Sequence, residues 1–401
     1  MSERTRVVCA SVAATGHFLP TLALARELDA RGNDVVMLAP ERWRGEVGAL
    51  GLKFTSLEEP DAALNGSEDR TGWEELAGVA RSAVPMIREL GPHVVVGDHF
   101  AQAPMLAAEA AGVRTATLIP DPYHVPLPGL PVFAQGLLPP RSAFGRGAWN
   151  AAWPLAERAR RHMRGMQNEL RGRLDLPPVE RLDGAISEDL AMVATFPQLE
   201  YPRDWPPTVH VTGPMLLDLP APLVEPPPGD EPLVVVVAST TGLEPASVFV
   251  ETVLEGLEAQ AVRVVATTSR RGERWRGAVP ANATVVDWLD LGGVMQGAAA
   301  VVCNGGHGTV AGALSAGAPA LVCPVGGNTP QTGVRVTWAG AGLMVPRRLF
   351  GPRPLRWAVR RLLADSRIAE RARSLATWGR ANHGPTRGAE LVERYARPDP
   401  L

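Results

Sequence analysis

Lysine is all but missing from this 401-residue chain: Lys53 is the single one, and arginine supplies the other 39 of its 40 basic residues. We read that bias as a mark of a GC-rich coding genome. Against those 40 stand 42 Asp and Glu, so the formal net charge is −2. The chain therefore lacks the basic excess that a phosphate-backbone interface needs, and no nucleic-acid partner is expected. Cysteine is scarce as well. Cys9, Cys303 and Cys323 stand far apart inside apolar runs, which suits buried free thiols and a reducing, cytoplasmic setting better than a disulfide framework or paired zinc ligands. No apolar run reaches the ~18 residues of a membrane helix. The start, Met1–Arg6, mixes charges of both signs, unlike a secretion signal. Hydrophobic residues at 45% and charged ones at 20% exclude wholesale disorder, and the length points to two domains.

The order of apolar runs gives the fold class. RVVCASV from Arg6, then LPTLALARELDARG with Leu19, Leu22, Leu24 and Leu28 at mostly helical spacing, then DVVMLA, read as strand, helix and strand. HVVVG, QAPMLAAEAAG and TATLI repeat the alternation, so a parallel sheet with helices on both faces is expected. Six prolines between Pro220 and Pro232 then exclude helix and strand interiors. After them the pattern restarts with LVVVVA, PASVFVETVLEGLEAQ, VRVVATT, TVVDW, AVVCN and PALVCP. The expected architecture is α/β: a first doubly wound domain over 1–217, a linker over 218–232, a second over 233–382, and a closing helix over 383–401 that packs on either domain, the first being favoured. Ligands are expected in the cleft at the carboxyl ends of both sheets. The stretch 120–178 reads as loops with one or two helices.

The segment VVCNGGHGTVAGALSAGAPALVCP, Val301–Pro324, is the most informative. A buried strand ends at Asn304, Gly305, Gly306 and Gly308 permit a tight turn, and a helix starts at Thr309. The backbone N–H groups of His307, Gly308 and Thr309 then face an anion such as a diphosphate. Gly312 is placed where this helix presses on the sheet. A plain glycine turn without ligand is the bland alternative. A dinucleotide site is disfavoured, because no Asp or Glu occurs between Asp290 and Asp365 to hold the ribose of NAD, whereas seven arginines do occur there.

The segment Val285–Gly342, which contains that run, resembles the donor-binding signature of the family-1 nucleotide-sugar glycosyltransferases of the GT-B fold, the macrolide and antibiotic branch. TGHFLPTLALARELDARGNDV resembles the same family's first loop and helix, and the likeness spans nearly the whole chain. It implies two Rossmann-like domains facing across a cleft and an inverting, metal-independent transfer of a sugar to a small hydrophobic natural product in antibiotic biosynthesis. His17 is implied to be the general base and Asp98 its carboxylate partner, with a helix N-cap as the alternative role for Asp98. Trp288 is implied to stack on the nucleotide base, with the Leu289 backbone on the base edge. Ser239, Thr240 and Thr241 are implied to touch phosphate, although Ser239 replaces the family's usual glycine; a simple capped turn is the alternative.

Three departures sharpen the reading. Asn304 replaces a histidine before the glycines, Asn328-Thr329 replaces the Asp-Gln pair that holds sugar hydroxyls, and Gly312 stands where many UDP-sugar enzymes carry a glutamate on the ribose. Together they point to a dTDP-deoxysugar donor rather than a UDP-sugar. No cofactor or metal is expected, and the chain is expected as monomer or homodimer. Phe18, Trp73, Phe100 and Tyr123 are candidate acceptor-pocket residues, each equally an ordinary core residue. Two other readings remain at this stage: a non-catalytic nucleotide-sugar-binding partner protein, and a GT-B epimerase or hydrolase acting on the nucleotide sugar.

Overall fold

The computed structural model describes residues 4–59, 70–180, 186–240, 244–269 and 275–397. In the first half the strands are β1 (Arg6–Ala10), β2 (Asp34–Ala39), β3 (Lys53–Ser56), β4 (Val94–Asp98), β5 (Arg114–Ile119), β6 (Ala191–Val193) and β7 (Val209–Val211). Its helices are α1 (Thr15–Ala30), α2 (Arg44–Ala49), α3 (Arg70–Leu90), α4 (Gln102–Ala110) and α5 (Ala143–Gly172). The second half contains β8 (Leu233–Val237), β9 (Arg263–Thr267), β10 (Ala283–Val286), β11 (Ala300–Cys303), β12 (Ala320–Val322) and β13 (Gly342–Met344). With them run α6 (Ala246–Leu257), α7 (Leu291–Gln296), α8 (His307–Ala316), α9 (Thr329–Trp338), α10 (Pro352–Ala364), α11 (Ser366–Ala381) and α12 (Gly384–Ala396).

Both sheets are parallel and wound alike. The first runs β3-β2-β1-β4-β5-β6-β7 and the second β10-β9-β8-β11-β12-β13. Helices cover both faces, which is why the central strands are unbroken apolar runs: every residue of β4 and of β8 is buried. In each sheet the strand order reverses beside the first strand. Val7 pairs with Val94 and Ala10 with Gly97 across β1 and β4, while Val234 pairs with Ala300 and Val237 with Cys303 across β8 and β11. Such switch points open a crevice at the carboxyl ends of the strands.

The three thiols are buried and unbonded. Residues 212–232, with the prolines, run without helix or strand. The closing helix α12 leaves the second half and joins the first, where Ala389, Val392 and Ala396 enter the cluster that holds Val7, Leu24 and Leu28. A forked bond from Arg31 to Glu393, at 3.0 and 2.9 Å, accompanies this packing. Partly exposed pairs of this kind are worth about 0–1 kcal/mol, so apolar burial carries the docking.

One element differs from the sequence reading. The first helix begins at Thr15, four residues before Leu19, and Pro20 lies inside it. Pro20 is the sixth residue of the helix and forfeits the bond its N–H would make to Gly16 O, while the buried Phe18, Leu22 and Leu24 around it hold the helix on the sheet. The stretch 120–178, read as loops with one or two helices, holds one helix, α5, which is long at 30 residues and has Pro154 inside it.

Candidate active site

At the first switch point, β1 ends at Ala10 and α1 begins at Thr15, which puts His17 in the opening turn of the helix rather than in a loop before it. Its backbone N–H donates to Ala14 O at 3.0 Å. The neighbouring strand β4 ends on Asp98, which is fully buried. The two side chains meet, His17 Nδ1 to Asp98 Oδ2 at 2.8 Å. The second oxygen, Oδ1, accepts the Phe100 N–H at 2.8 Å. Asp98 therefore holds the imidazole and braces the turn at Phe100, but it does not cap α4, whose N-cap is Ala101 without a side-chain bond.

Burial alone would lower the His17 pKa, but the Asp98 carboxylate overrides it and pushes the imidazole up to about 9. Burial likewise opposes the charge on Asp98, and the His17 charge and hydrogen bond hold its carboxyl below the usual range. Around the pair stand rings that sequence reading overlooked, because neither has a motif of its own. His99 lies 5.3 Å from His17 between ring centroids, and His124 lies 5.1 Å from His99. Burial pushes the His99 imidazole down to about 3, so it stays neutral. His17, Asp98 and His99 offer ligand atoms within 4.8 Å of one another. Both Asp98 oxygens accept hydrogen bonds there, whereas His99 Nδ1 is buried without a hydrogen-bond partner among the described residues.

At the second switch point the brace is neutral. Asn304 follows β11 and is buried; its Oδ1 accepts the Ser239 N–H at 2.8 Å and its Nδ2 donates to Cys323 O at 3.4 Å. Its side chain thus ties the loops after β8, β11 and β12 together. Gly305 follows with φ +91°, and a Cβ there would come within 2.7 Å of Val322 Cγ1 and 3.0 Å of the Thr329 carbonyl oxygen. Glycine is required on both counts. Gly306 caps α8, which begins at His307. The N–H groups of His307, Gly308 and Thr309 are thus those of a helix N-terminus, and neither Gly306 nor Gly308 puts a side chain beside them. The His307 side chain is buried. Burial lowers its pKa, and the charges of Asp121 and Glu200 in the first half oppose that shift.

Other candidates fall unevenly around this crevice. Trp288 follows β10 and packs against the first-half core, while Leu289 is buried in the second-half core. Thr240 is exposed and Thr241 lies outside the described residues. Gly312 faces Met295 of α7, its would-be Cβ 3.5 Å from the sulfur, and not the sheet. Asn328 caps α9, half-buried. Thr329 is buried, its hydroxyl donating to Gly326 O at 2.7 Å and accepting from the Val325 and Gly326 N–H groups, so it closes its own turn rather than offering a bond to a sugar. Of the seven arginines in the stretch without acids, Arg335 pairs with Glu200 at 2.7 Å, Arg356 and Arg360 bond to Gly256 O and Gln260, and Arg347 bonds to Val325 O beside the donor loop.

Among the aromatic candidates, Phe100 packs on His17 with centroids 4.8 Å apart. Phe18 is corrected to core: it is fully buried and stacks on Trp43 at 4.0 Å, because the helical turn that points His17 outward points its neighbour inward. Trp73 packs half-buried against the cluster of Leu76, Leu106 and Leu170, beneath α5. Tyr123 is buried, but with His124, Leu127, Phe133 and Arg203 it lines a pocket that Glu200, Gln331 and Arg335 close from the far side.

Two doubly wound parallel-sheet domains of this topology make the GT-B architecture. The model of the erythromycin biosynthesis protein CIII-like C-terminal domain matches residues 251–394. The 4'-demethylrebeccamycin synthase of Lentzea aerocolonigenes is 26% identical over 97% of this chain and 99% of its own. The O-mycaminosyltylonolide 6-deoxyallosyltransferase of Streptomyces fradiae is 27% identical over 98% of this chain and 97% of its own. The solved structure of glycosyltransferase VinC in complex with dTDP superposes with a TM-score of 0.70 at 21% identity, covering 98% of this chain and 99% of that one. The chain is a glycosyltransferase, similar in sequence to the family-1 enzymes of antibiotic pathways. No helix among the described residues is long and apolar enough to cross a membrane.

Proposed function

We propose that the protein moves a deoxysugar from a dTDP donor to a small hydrophobic natural product, with inversion and without a metal. The observation that carries the reading is the 2.8 Å bond between His17 Nδ1 and Asp98 Oδ2. With Nδ1 held by the carboxylate, Nε2 is the nitrogen left to take the acceptor's proton. One deprotonated acceptor attacking the anomeric carbon from the face opposite the leaving diphosphate gives inversion in one step. The carboxylate stabilises the imidazolium that forms, so the proton needs no metal-bound base.

The leaving diphosphate is assigned to the N-terminus of α8 and the turn at Gly305–Gly308, whose N–H groups supply partial positive charge where negative charge develops. Trp288 and the Leu289 backbone take the base, and Ser239, Thr240 and Asn328 the remaining donor contacts. The dTDP choice is supported by Gly312, which leaves no carboxylate for a ribose 2′-hydroxyl, by the dTDP in the VinC structure and by the deoxysugar named for the tylosin-pathway relative. The acceptor is assigned to the side of the crevice at Tyr123 and Phe133, where the cavity of about 20 Å³ holds a single water and has to widen to admit it. Calorimetric titration with dTDP and with UDP tests the donor; dTDP binds more tightly on this reading, and tighter UDP binding rejects it. Incubating donor without acceptor separates transfer from hydrolysis, since a transferase leaves the sugar nucleotide largely intact.

A further inference from the structure

Between the donor-side helix α9 and the acceptor-side loop 123–137 lies a buried carboxylate with no part in the chemistry above. Glu200 follows the short 3-10 turn Pro197–Leu199 of the first half. Its side chain is 4% exposed and its two oxygens serve opposite sides of the crevice. Oε2 accepts Arg335 Nη1 at 2.7 Å, from α9. Oε1 accepts the Tyr123 N–H at 2.8 Å, at the head of the acceptor-side loop.

The surroundings make this a rigid joint. Arg335 also donates to Leu199 O at 2.8 Å, and its guanidinium lies 4.4 Å from the Tyr201 ring centroid. The Tyr201 hydroxyl donates to Leu137 O at 2.9 Å and accepts from Gln331 Nε2 at 3.3 Å, a second tie between the same helix and the same loop. The helix so held begins at Asn328-Thr329, beside the donor loop, and the loop so held continues into His124, whose ring faces His99 and through it His17. A buried cation bonded to a buried carboxylate cannot slide without leaving a charge unpaired, so helix and loop are constrained to move together.

We propose that Glu200 is a positioning residue that couples the two substrates: by joining α9 to the loop at Tyr123, it makes occupation of the donor site order the acceptor pocket. The coupling is reciprocal, so an acceptor tightens donor binding by the same factor. The inference rests on the donor and acceptor assignments made above. Glutamine at position 200 keeps the shape but has one oxygen, so it can hold Tyr123 or face Arg335, not both.

Hydrogen exchange of the full chain, with and without saturating dTDP, tests it. In the native protein, dTDP slows exchange in 123–137 by at least about fivefold, the lower end of ordinary site-to-site coupling. In Glu200→Gln, dTDP still binds but the protection of 123–137 is lost, while protection of the glycine loop 304–309 remains. The double variant Glu200→Gln/Arg335→Met removes the stranded charge and regains thermal stability without regaining the protection; protection that returns with stability shows a merely structural residue and overturns the proposal. Nucleotide binding with no change in 123–137 in the native protein also overturns it and leaves the donor assignment standing. A chain that binds neither dTDP nor UDP overturns the donor assignment itself, and the coupling with it.

Discussion

The two sheets present their ligand loops at the same topological place and brace it with opposite chemistry. Between β1 and β4 the brace is an ion pair, His17 with Asp98, fully buried on the acid side. Between β8 and β11 it is a neutral amide, Asn304, shared between Ser239 and Cys323. The difference fits two tasks. A proton acceptor needs a neighbour whose charge grows in value as the proton arrives, whereas a cradle for an anion needs fixed N–H groups and no competing negative charge. Carboxylates are accordingly absent from the sequence between Asp290 and Asp365 and present in force at the first crevice, where Asp98, Asp121 and Glu59 gather.

Perturbing each brace separately is the way to sharpen that contrast. The largest effect is expected from Asp98→Asn, which keeps the shape but removes the charge. It should lower kcat by about 10²–10⁴-fold and leave the dTDP affinity unchanged, by steady-state kinetics and calorimetry. Its pH profile should move too. With the His17 pKa raised toward 9, the free native enzyme carries the proton at neutral pH, so kcat/KM climbs as pH rises to about 9. Without the carboxylate that limb should fall toward the ordinary value near 6.5. For stability the sign is reversed. The His17 contribution is complete below about 6.5 and lost as pH rises through 9, while that of Asp98 disappears as pH falls through its lowered pKa, so unfolding free energy peaks on the acid side of neutral.

Next in size is Phe18→Ala, expected to cost about 3–5 kcal/mol of stability as a core deletion, with the substrate affinities of the surviving folded protein unchanged. Gly305→Ala comes next. Left-handed backbone and the contact with the Thr329 carbonyl should cost about 1–3 kcal/mol and weaken dTDP binding while the His17 pH profile stays in place. The smallest is Asn304→Ala, which strands the Ser239 N–H. It should cost about 1–3 kcal/mol at most if water cannot reach the group, and weaken donor binding without moving the pH profile. An altered pH profile in either second-half variant would break the proposed separation of tasks.

The sequence was informative where period and punctuation coincide. DVVMLA matches β2 residue for residue, and the valine runs at β4 and β8 mark buried parallel strands. It was silent where structure depends on distant partners. Nothing local says that the second Asp98 oxygen caps a turn, that Asn304 reaches three loops, or that Thr329 folds its hydroxyl back on Gly326. Pro20 hid the first turns of α1, so His17 looked like a loop residue. Phe18 looked like a pocket residue because it follows His17, but adjacent positions on a helix face about 100° apart. Glu200 had no signal at all: it is a lone acid after a three-residue turn, and its role depends on a guanidinium 135 positions away.

The central claim is that proton transfer belongs to the first switch point and donor binding to the second. His17→Ala tests it most directly, with turnover and dTDP affinity measured on the same preparation. The account predicts that turnover falls by about 10²–10⁴-fold while the dTDP dissociation constant stays where it was. Unchanged turnover, or a loss of dTDP binding in step with it, would contradict the account.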